Sequence, residues 1–315
     1  MNLKLLILGL LLCPFFLSAG KNPPLKPQIL KFCKEMDKMF VRYGWKPGEC
    51  EKYSWNHVRN TLQGTPLIWT VFGEEEKNSK NTTVVFCGVH GDEITPIKFC
   101  FDLLDELNNT KEEHSEDLVI VAPCVNPDGF FKKKPTRTNS RGVDVNRNFH
   151  TSDWSKDALR IWTNKFRKDP RRYPGKSAGS EQETVFQENL IKRYRPNKII
   201  SVHAPLSILD YDGPEDDANV KKSETGILAN QLLVTMSAKA SGYKIKKYPY
   251  FIGSLGKWAG KEKNIPVYTI ELPTTDASKS TKYWNLFRDA IHQALRQDLR
   301  PSTEVAQKGS GDKKK

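Results

Sequence analysis

Thr82-Thr83-Val84-Val85-Phe86-Cys87-Gly88-Val89 is an apolar, strand-like run that ends on His90-Gly91-Asp92-Glu93. Two later runs have the same form: Lys198-Ile199-Ile200-Ser201-Val202 ends on His203, and Pro266-Val267-Tyr268-Thr269-Ile270 ends on Glu271. In an open α/β sheet, ligands gather at the carboxyl ends of the strands. These groups can therefore converge in space although about 180 residues separate His90 from Glu271. Two neutral imidazoles, one carboxylate and an open position make a catalytic zinc site, and a further unligated carboxylate beside it can serve as a base.

The spacing His-x-x-carboxylate carries little by itself. Asp and Glu are 37 of 315 residues, so any position is acidic about 12% of the time. His114-x-x-Asp117 and His150-x-x-Asp153 repeat the spacing with no strand before them. What distinguishes His90 and Glu93 is location. Gly88 and Gly91 bracket a turn where the backbone must bend sharply out of the strand. The following run, Ile94 to Leu107, has apolar residues at three- and four-residue spacing and reads as a helix. Glu93 in its first turn would then share a face with His90.

Composition bounds the class. The length of 315 residues suits one large α/β domain or two small ones, and no internal repeat is present. Residues 1–20 read as a secretory signal, with Lys4 as the charge, an apolar core over 5–17 and a small-residue exit at Ser18-Ala19-Gly20. Export is expected, to the periplasm if the source is Gram-negative. Cys13 hints at a lipid anchor, but the bulky Leu12 before it argues against acylation. No other segment is long and apolar enough to cross a membrane. After signal removal Cys33, Cys50, Cys87, Cys100 and Cys124 remain. Cys33 and Cys50 flank a short segment and can pair, whereas burial as small apolar groups is the expectation for the other three. No CxxC is present, which leaves a thiolate zinc site or a dithiol redox site unsupported. The formal charge of +13 becomes +12 without Lys4. With no nucleic-acid motif beside the lysines, this reads as a solvated basic surface, or as attraction to an anionic polymer such as cell wall. The stretch 301–315 is polar, aperiodic and expected to be disordered.

Apolar spacing predicts helices near residues 31–43, 94–108, 181–195, 223–241 and 284–298. The runs 67–72 and 82–89, separated by a polar turn, read as a hairpin. Asp117 to Val125 is another buried strand, closed by the turn Asn126-Pro127-Asp128-Gly129. The loop from Arg137 to Phe149 follows, with Arg137, Arg141 and Arg147 interleaved with Asn139, Asn146 and Asn148. A loop this polar is ordinarily solvated surface. Beside a metal it also suits carboxylate recognition, because arginine offers a planar, bidentate fork.

HGDE at 90–93, NPDG at 126–129, RTNSRGVDVNRNF at 137–149, the late His203 and Glu271-Leu272-Pro273 together resemble the zinc metallocarboxypeptidase family. Within it, HAPLSILDYDGP at 203–214 and GSLGKWAG at 253–260 are similar to the murein peptide amidase branch, which cuts the γ-D-glutamyl–meso-diaminopimelate bond of wall peptides. The resemblance covers Leu67 to Pro273. It implies an α/β fold with a mixed, mostly parallel sheet of about eight strands between helices. It also implies one Zn2+ per chain, with His90, Glu93 and His203 as ligands. Glu271 would be the base and then the acid, and Arg137 the group that meets the oxyanion. Asn146 and Arg147 would hold a terminal carboxylate, and Tyr248 the mobile tyrosine, with Tyr250 close enough to compete. Leu255 falls where a pocket residue for the leaving side chain is expected. Asp210 and Asp212 can bind an amino group of diaminopimelate, or be plain acidic turn residues. The implied partner is a peptidoglycan peptide, and the implied reaction is hydrolysis of an amide beside a free carboxylate. A carboxypeptidase on ordinary peptides is the alternative; an acylamino-acid deacylase and a non-catalytic wall-binding protein fit less well. The implied division is a signal over 1–20, an N-terminal segment over 21–66 packed on a catalytic domain over 67–300, and the tail over 301–315.

Overall fold

The computed structural model describes residues 25–47, 50–75, 81–110, 116–214 and 223–301. The expected signal, His114 and the tail beyond Pro301 lie outside the described residues. Seven strands are found among those residues: β1 (Asn56–Asn60), β2 (Pro66–Phe72), β3 (Asn81–Phe86), β4 (Asp117–Ala122), β5 (Lys198–His203), β6 (Ile208–Asp212) and β7 (Val267–Glu271). They form one sheet in the order β1-β2-β4-β3-β5-β7-β6. The four central strands β4, β3, β5 and β7 run parallel, while β1, β2 and β6 join antiparallel at the flanks. The sheet is mixed, as expected. Its parallel character is confined to the centre, and one strand fewer than the expected eight is found among the described residues.

The expected hairpin does not form. β2 pairs with β4, and both edges of β3 are taken by β4 and β5. The residues of β3 are buried throughout, and a strand covered on both faces belongs in the centre of a sheet. That placement leaves no edge for its sequence neighbour.

Among the described residues seven α-helices accompany the sheet: α1 (Pro27–Arg42), α2 (Ile94–Asn109), the single turn α3 (Pro127–Phe130), α4 (Trp154–Asn164), α5 (Gln182–Tyr194), α6 (Glu224–Lys239) and α7 (Ser280–Arg296). α1 carries Pro27 at its start and buries Ile29, Phe32, Cys33, Met36 and Phe40, a stripe at helical spacing. One core lies between α1, α2, α6, α7 and one face of the sheet, with Val85, Val119, Ile200 and Ile270 pointing into it. The other core packs Phe186 and Leu190 of α5, with Phe149 and Trp258, on Val84, Ile120, Ile199 and Val267. Adjacent strand residues thus serve opposite cores.

Two disulfides close within this frame. Cys33 bonds Cys50, the pairing open from sequence. Cys87 bonds Cys100, against the expectation of two separate apolar thiols. The end of β3 and the second turn of α2 bring their Cα atoms to 6.2 Å, within bridging range. Cys124 is free and buried.

Glu183, on the first turn of α5, is 1% exposed. Its Oε2 accepts from Asn139 Nδ2 at 3.0 Å, while Oε1 has no hydrogen-bond partner. Burial pushes its pKa up to about 7 from 4.5, and Asp128 and Glu181 add to the rise. Between these two values the folded chain holds a proton that the unfolded chain has released. Stability therefore falls as pH rises through that window, and the loss is complete above it. Glu183→Gln removes the titration. The variant should match wild type near pH 5 and be more stable at pH 8 by up to about 3 kcal/mol. Urea midpoints at both pH values check this; a pH-independent difference between the two proteins would refute it.

Candidate metal centre and substrate cleft

The chain leaves β3 through Gly88, whose φ of +59° favours glycine. A side chain at Gly91 would run into the backbone of Gly129 and Phe130. The turn closes with Glu93 N–H donating to His90 O at 3.2 Å, and α2 starts at the next residue. His90 and Glu93 are therefore held by a strand end, a tight turn and a helix start. His203 and Glu271 are the last residues of β5 and β7 and stand side by side in the parallel register.

His90, Glu93 and His203 converge, with one ligand atom from each lying within 4.8 Å of the others. All three are buried, at 2%, 6% and 4% exposure. Glu93 Oε1 lies 2.7 Å from His90 Nδ1 and Oε2 lies 2.9 Å from His203 Nδ1, so both imidazoles direct the same type of nitrogen toward one carboxylate. Burial opposes ionisation of Glu93, but the two histidines outweigh it and hold the group well below the usual carboxylate range. Two imidazole nitrogens and a carboxylate oxygen are a donor set for catalytic zinc. These residues fit the metal and would hold it. Among the described residues no other group of three such side chains converges in this way. His150, with the same sequence spacing, instead pairs with Glu188 at 2.8 Å.

The polar loop supplies the next layer. Asn126 caps α3, accepting from Gly129 N–H at 2.9 Å, and its Nδ2 donates to Arg137 O at 3.2 Å. The NPDG turn thus fixes the backbone that carries Arg137. The Arg137 guanidinium donates to Asp144 Oδ2 at 3.0 Å and to Glu93 Oε1 at 3.2 Å. Asp144, in the middle of the same loop, acts behind the ligands. It is fully buried, and Oδ1 lies 3.1 Å from His90 Nε2, which orients the imidazole for a metal on the other nitrogen. The signal in the sequence was its place two residues before Asn146, but spacing alone does not say that it reaches back to His90.

Asn146 accepts from Leu255 N–H at 2.8 Å. Arg147 is 8% exposed, lies over the Phe251 ring at 4.2 Å, and donates through Nη1 to Asn146 O at 2.6 Å. Its Nε is buried without a hydrogen-bond partner. Burial lowers its pKa to about 10, which still leaves it charged at neutral pH. Tyr248 packs 5.8 Å from Phe251, the ring that Arg147 lies over, whereas the Tyr250 ring faces Lys261 at 5.0 Å. Arg141 is drawn toward Glu181 at 3.7 Å and is absent from the cleft lining.

The three ligand candidates, Arg137, Asn146, Arg147 and Tyr248 line one cleft of about 540 Å3, together with Leu255, Asp210, Asp212 and Glu271. Glu271 accepts from Leu206 N–H at 3.4 Å. Burial pushes its pKa up, against the pull of His203. It stands beside the three ligand residues without belonging to them.

A family model described as zinc carboxypeptidase matches residues 51–299. Murein peptide amidase A of Escherichia coli strain K12 is 28% identical over 249 residues, which covers 78% of this chain and 93% of that protein. Murein peptide amidase A of Vibrio campbellii is 28% identical over 219 residues, covering 69% and 78%. Among solved structures, the murein-tripeptide amidase of Escherichia coli O157 superposes with a TM-score of 0.53 at 25% identity, covering 79% of this chain and 93% of that one. Carboxypeptidase A of Helicoverpa armigera gives a TM-score of 0.64 at 15% identity, covering 86% and 72%, a likeness of fold.

Proposed function

The chain belongs to the zinc carboxypeptidase family, and from that premise we propose that it hydrolyses the γ-D-glutamyl–meso-diaminopimelate amide of peptidoglycan peptides, next to a free carboxylate. The observation that carries the carboxylate is Arg147, a buried guanidinium with an unpartnered Nε in the same cleft as the zinc donor set. The relatives named murein peptide amidase, 28% identical over most of the chain, support the wall-peptide substrate. The two disulfides support an exported, periplasmic setting.

Zinc, when bound at the site, polarises the scissile carbonyl and makes water a stronger acid. Glu271 takes a proton from the attacking water and returns it to the nitrogen of the leaving amine. Arg137 meets the negative charge that builds on the carbonyl oxygen. Asn146 and Arg147 hold the carboxylate of the leaving residue, and Tyr248 closes over it from the side of Phe251.

Arg147→Ala tests the reading. A charge-assisted contact in a partly dry pocket should be worth about 10- to 150-fold in kcat/KM. Wild type should strongly prefer a γ-D-glutamyl–diaminopimelate peptide over its carboxamide, because an amide leaves the guanidinium buried without a counter-charge. The variant should lose that preference. Equal discrimination in both proteins would put the carboxylate elsewhere, and a wild type that cuts carboxamides as well as acids would be an endo-acting amidase.

A further inference from the structure

We propose that α1 and the loop after α3 form a cationic ridge, outside the cleft, that docks the protein on the polyanionic wall polymer. The inference rests on the wall-peptide reading above and names the surface that finds the polymer. α1 turns Ile29, Phe32, Cys33, Met36 and Phe40 into the core. On the opposite side Lys31, Lys34, Lys38 and Arg42 are exposed, and they recur at three- and four-residue spacing. This stripe runs roughly 16 Å along the helix. Glu35 lies beside it and pairs with Lys38 at 2.7 Å. Among the described residues, neither Lys31 nor Lys34 pairs with an acid. The basic charge of the chain is thus gathered, in part, along one helix face.

The ridge ends at the rim of the cleft. Arg42 donates through Nη2 to Lys133 O at 2.6 Å and through Nη1 to Lys132 O at 3.5 Å. The stripe thereby continues into Lys133 and Lys134, both exposed. The loop is held in place: Phe131 packs edge-on against Phe32 at 5.3 Å, and Lys132 Nζ donates to Thr136 Oγ1 at 3.1 Å. The residue after Thr136 is Arg137, which lines the cleft. On the other side Trp45 Nε1 donates to Ala277 O at 3.0 Å, two residues past Thr275, which also lines the cleft. The C-terminal end of α1 is therefore pinned to two rim segments. A polymer lying along the ridge brings its stem peptides to the mouth of the cleft.

Charge complementarity selects the partner. A γ-linked glutamyl residue keeps its α-carboxylate, and amide-linked diaminopimelate adds two carboxylates against one ammonium. Each stem is a net anion, and the polymer repeats it. Exposed ion pairs are weak singly, but a row of them on a repeating anion adds up through multivalency. A lipid surface fits less well. The apolar face of α1 is spent on the core, and beside the stripe Val41, 60% exposed, is a single apolar side chain with nothing to extend it.

The test reverses the ridge and leaves the cleft alone. One variant combines Lys31→Glu, Lys34→Glu, Lys38→Glu and Lys133→Glu. A control of equal charge combines Lys156→Glu, Lys165→Glu, Lys176→Glu and Lys244→Glu, all exposed and away from α1. Co-sedimentation with purified peptidoglycan sacculi reads binding without turnover. Wild type should bind, and binding should weaken as salt screens the charges. The ridge variant should bind about tenfold more weakly or worse, and the control within about threefold of wild type. On a soluble γ-D-glutamyl–diaminopimelate peptide all three proteins should have kcat/KM within about twofold, whereas release of diaminopimelate from sacculi should fall with binding in the ridge variant alone. Equal loss in the control would make net charge, not the ridge, the cause and overturn the assignment. So would unchanged binding in the ridge variant, or wild type that sediments with phosphatidylglycerol vesicles and not with sacculi. Sacculi held through the ridge with no peptide cut would support the ridge while the proposed hydrolysis failed.

Discussion

Replacing Glu271 by glutamine is expected to stop turnover while the protein keeps its metal. Glu271 ends β7 beside His203, yet it stands outside the converging ligand group. Glutamine has nearly the same shape and can still accept the Leu206 N–H, so the cleft keeps its form. What it cannot do is take a proton. Burial raises the pKa of Glu271, the direction required of a group that must accept a proton from water and then release it to an amine. A single positioned proton transfer contributes about 10²- to 10⁴-fold, and this variant loses two. The fall in kcat should reach about 10⁴-fold or more, with zinc near one per chain and substrate affinity within a few-fold of wild type. Single-turnover kinetics with parallel metal analysis measure both. Turnover within tenfold of wild type would remove Glu271 from the chemistry.

His203→Ala should have the opposite signature, with metal and activity lost together. His203 supplies one of the three converging donors and is held in place by β5 and by Ser201 Oγ, 3.0 Å from Nε2. That contact leaves Nδ1, already directed at Glu93, as the nitrogen for a metal. Catalytic zinc sites rely on three protein ligands, and changes to groups that merely support a ligand already cost about 10- to 100-fold in affinity. Loss of a ligand should cost more, so the purified variant should retain less than about a tenth of the zinc held by wild type. Full occupancy would mean that another side chain holds the metal. Taken together, the two variants separate binding the metal from using it.

Much of the site was legible because its residues sit at strand ends. A continuous apolar run that stops on a histidine or glutamate marks both the strand and the edge where ligands gather, and β3, β5 and β7 each do this. α2, α5 and α6 begin and end within two residues of where apolar spacing put them, while the ends of α1 and α7 shift by up to four. Pairing was not legible. β2 and β3 look like a hairpin because two adjacent strands have the same composition whether or not they bond to each other; the partner is chosen by which edge the rest of the sheet leaves open. The short α4 was also missed, although Trp154, Ala158, Ile161 and Trp162 recur at helical spacing; only the first two of them are buried. Contacts that span the fold escaped for a similar reason. Nothing local tells that Asp144 reaches His90, or that Cys87 meets Cys100.

That last bridge bears on which metal the protein keeps. His90 and Glu93 lie inside the ring that Cys87 and Cys100 close, and thiolates are the soft donors that divert zinc, copper(I) and iron into sulfur sites. Bonded to each other, these two sulfurs have no thiolate to offer. Cys124, next to the same turn, is silenced differently: burial pushes its thiol up, and Asp128 adds to the effect, so it stays protonated. An incoming ion therefore meets only nitrogen and oxygen, a hard-to-borderline environment. Metal offered to the reduced, unfolded chain would meet a thiolate three residues from His90, and the closed bridge withholds it.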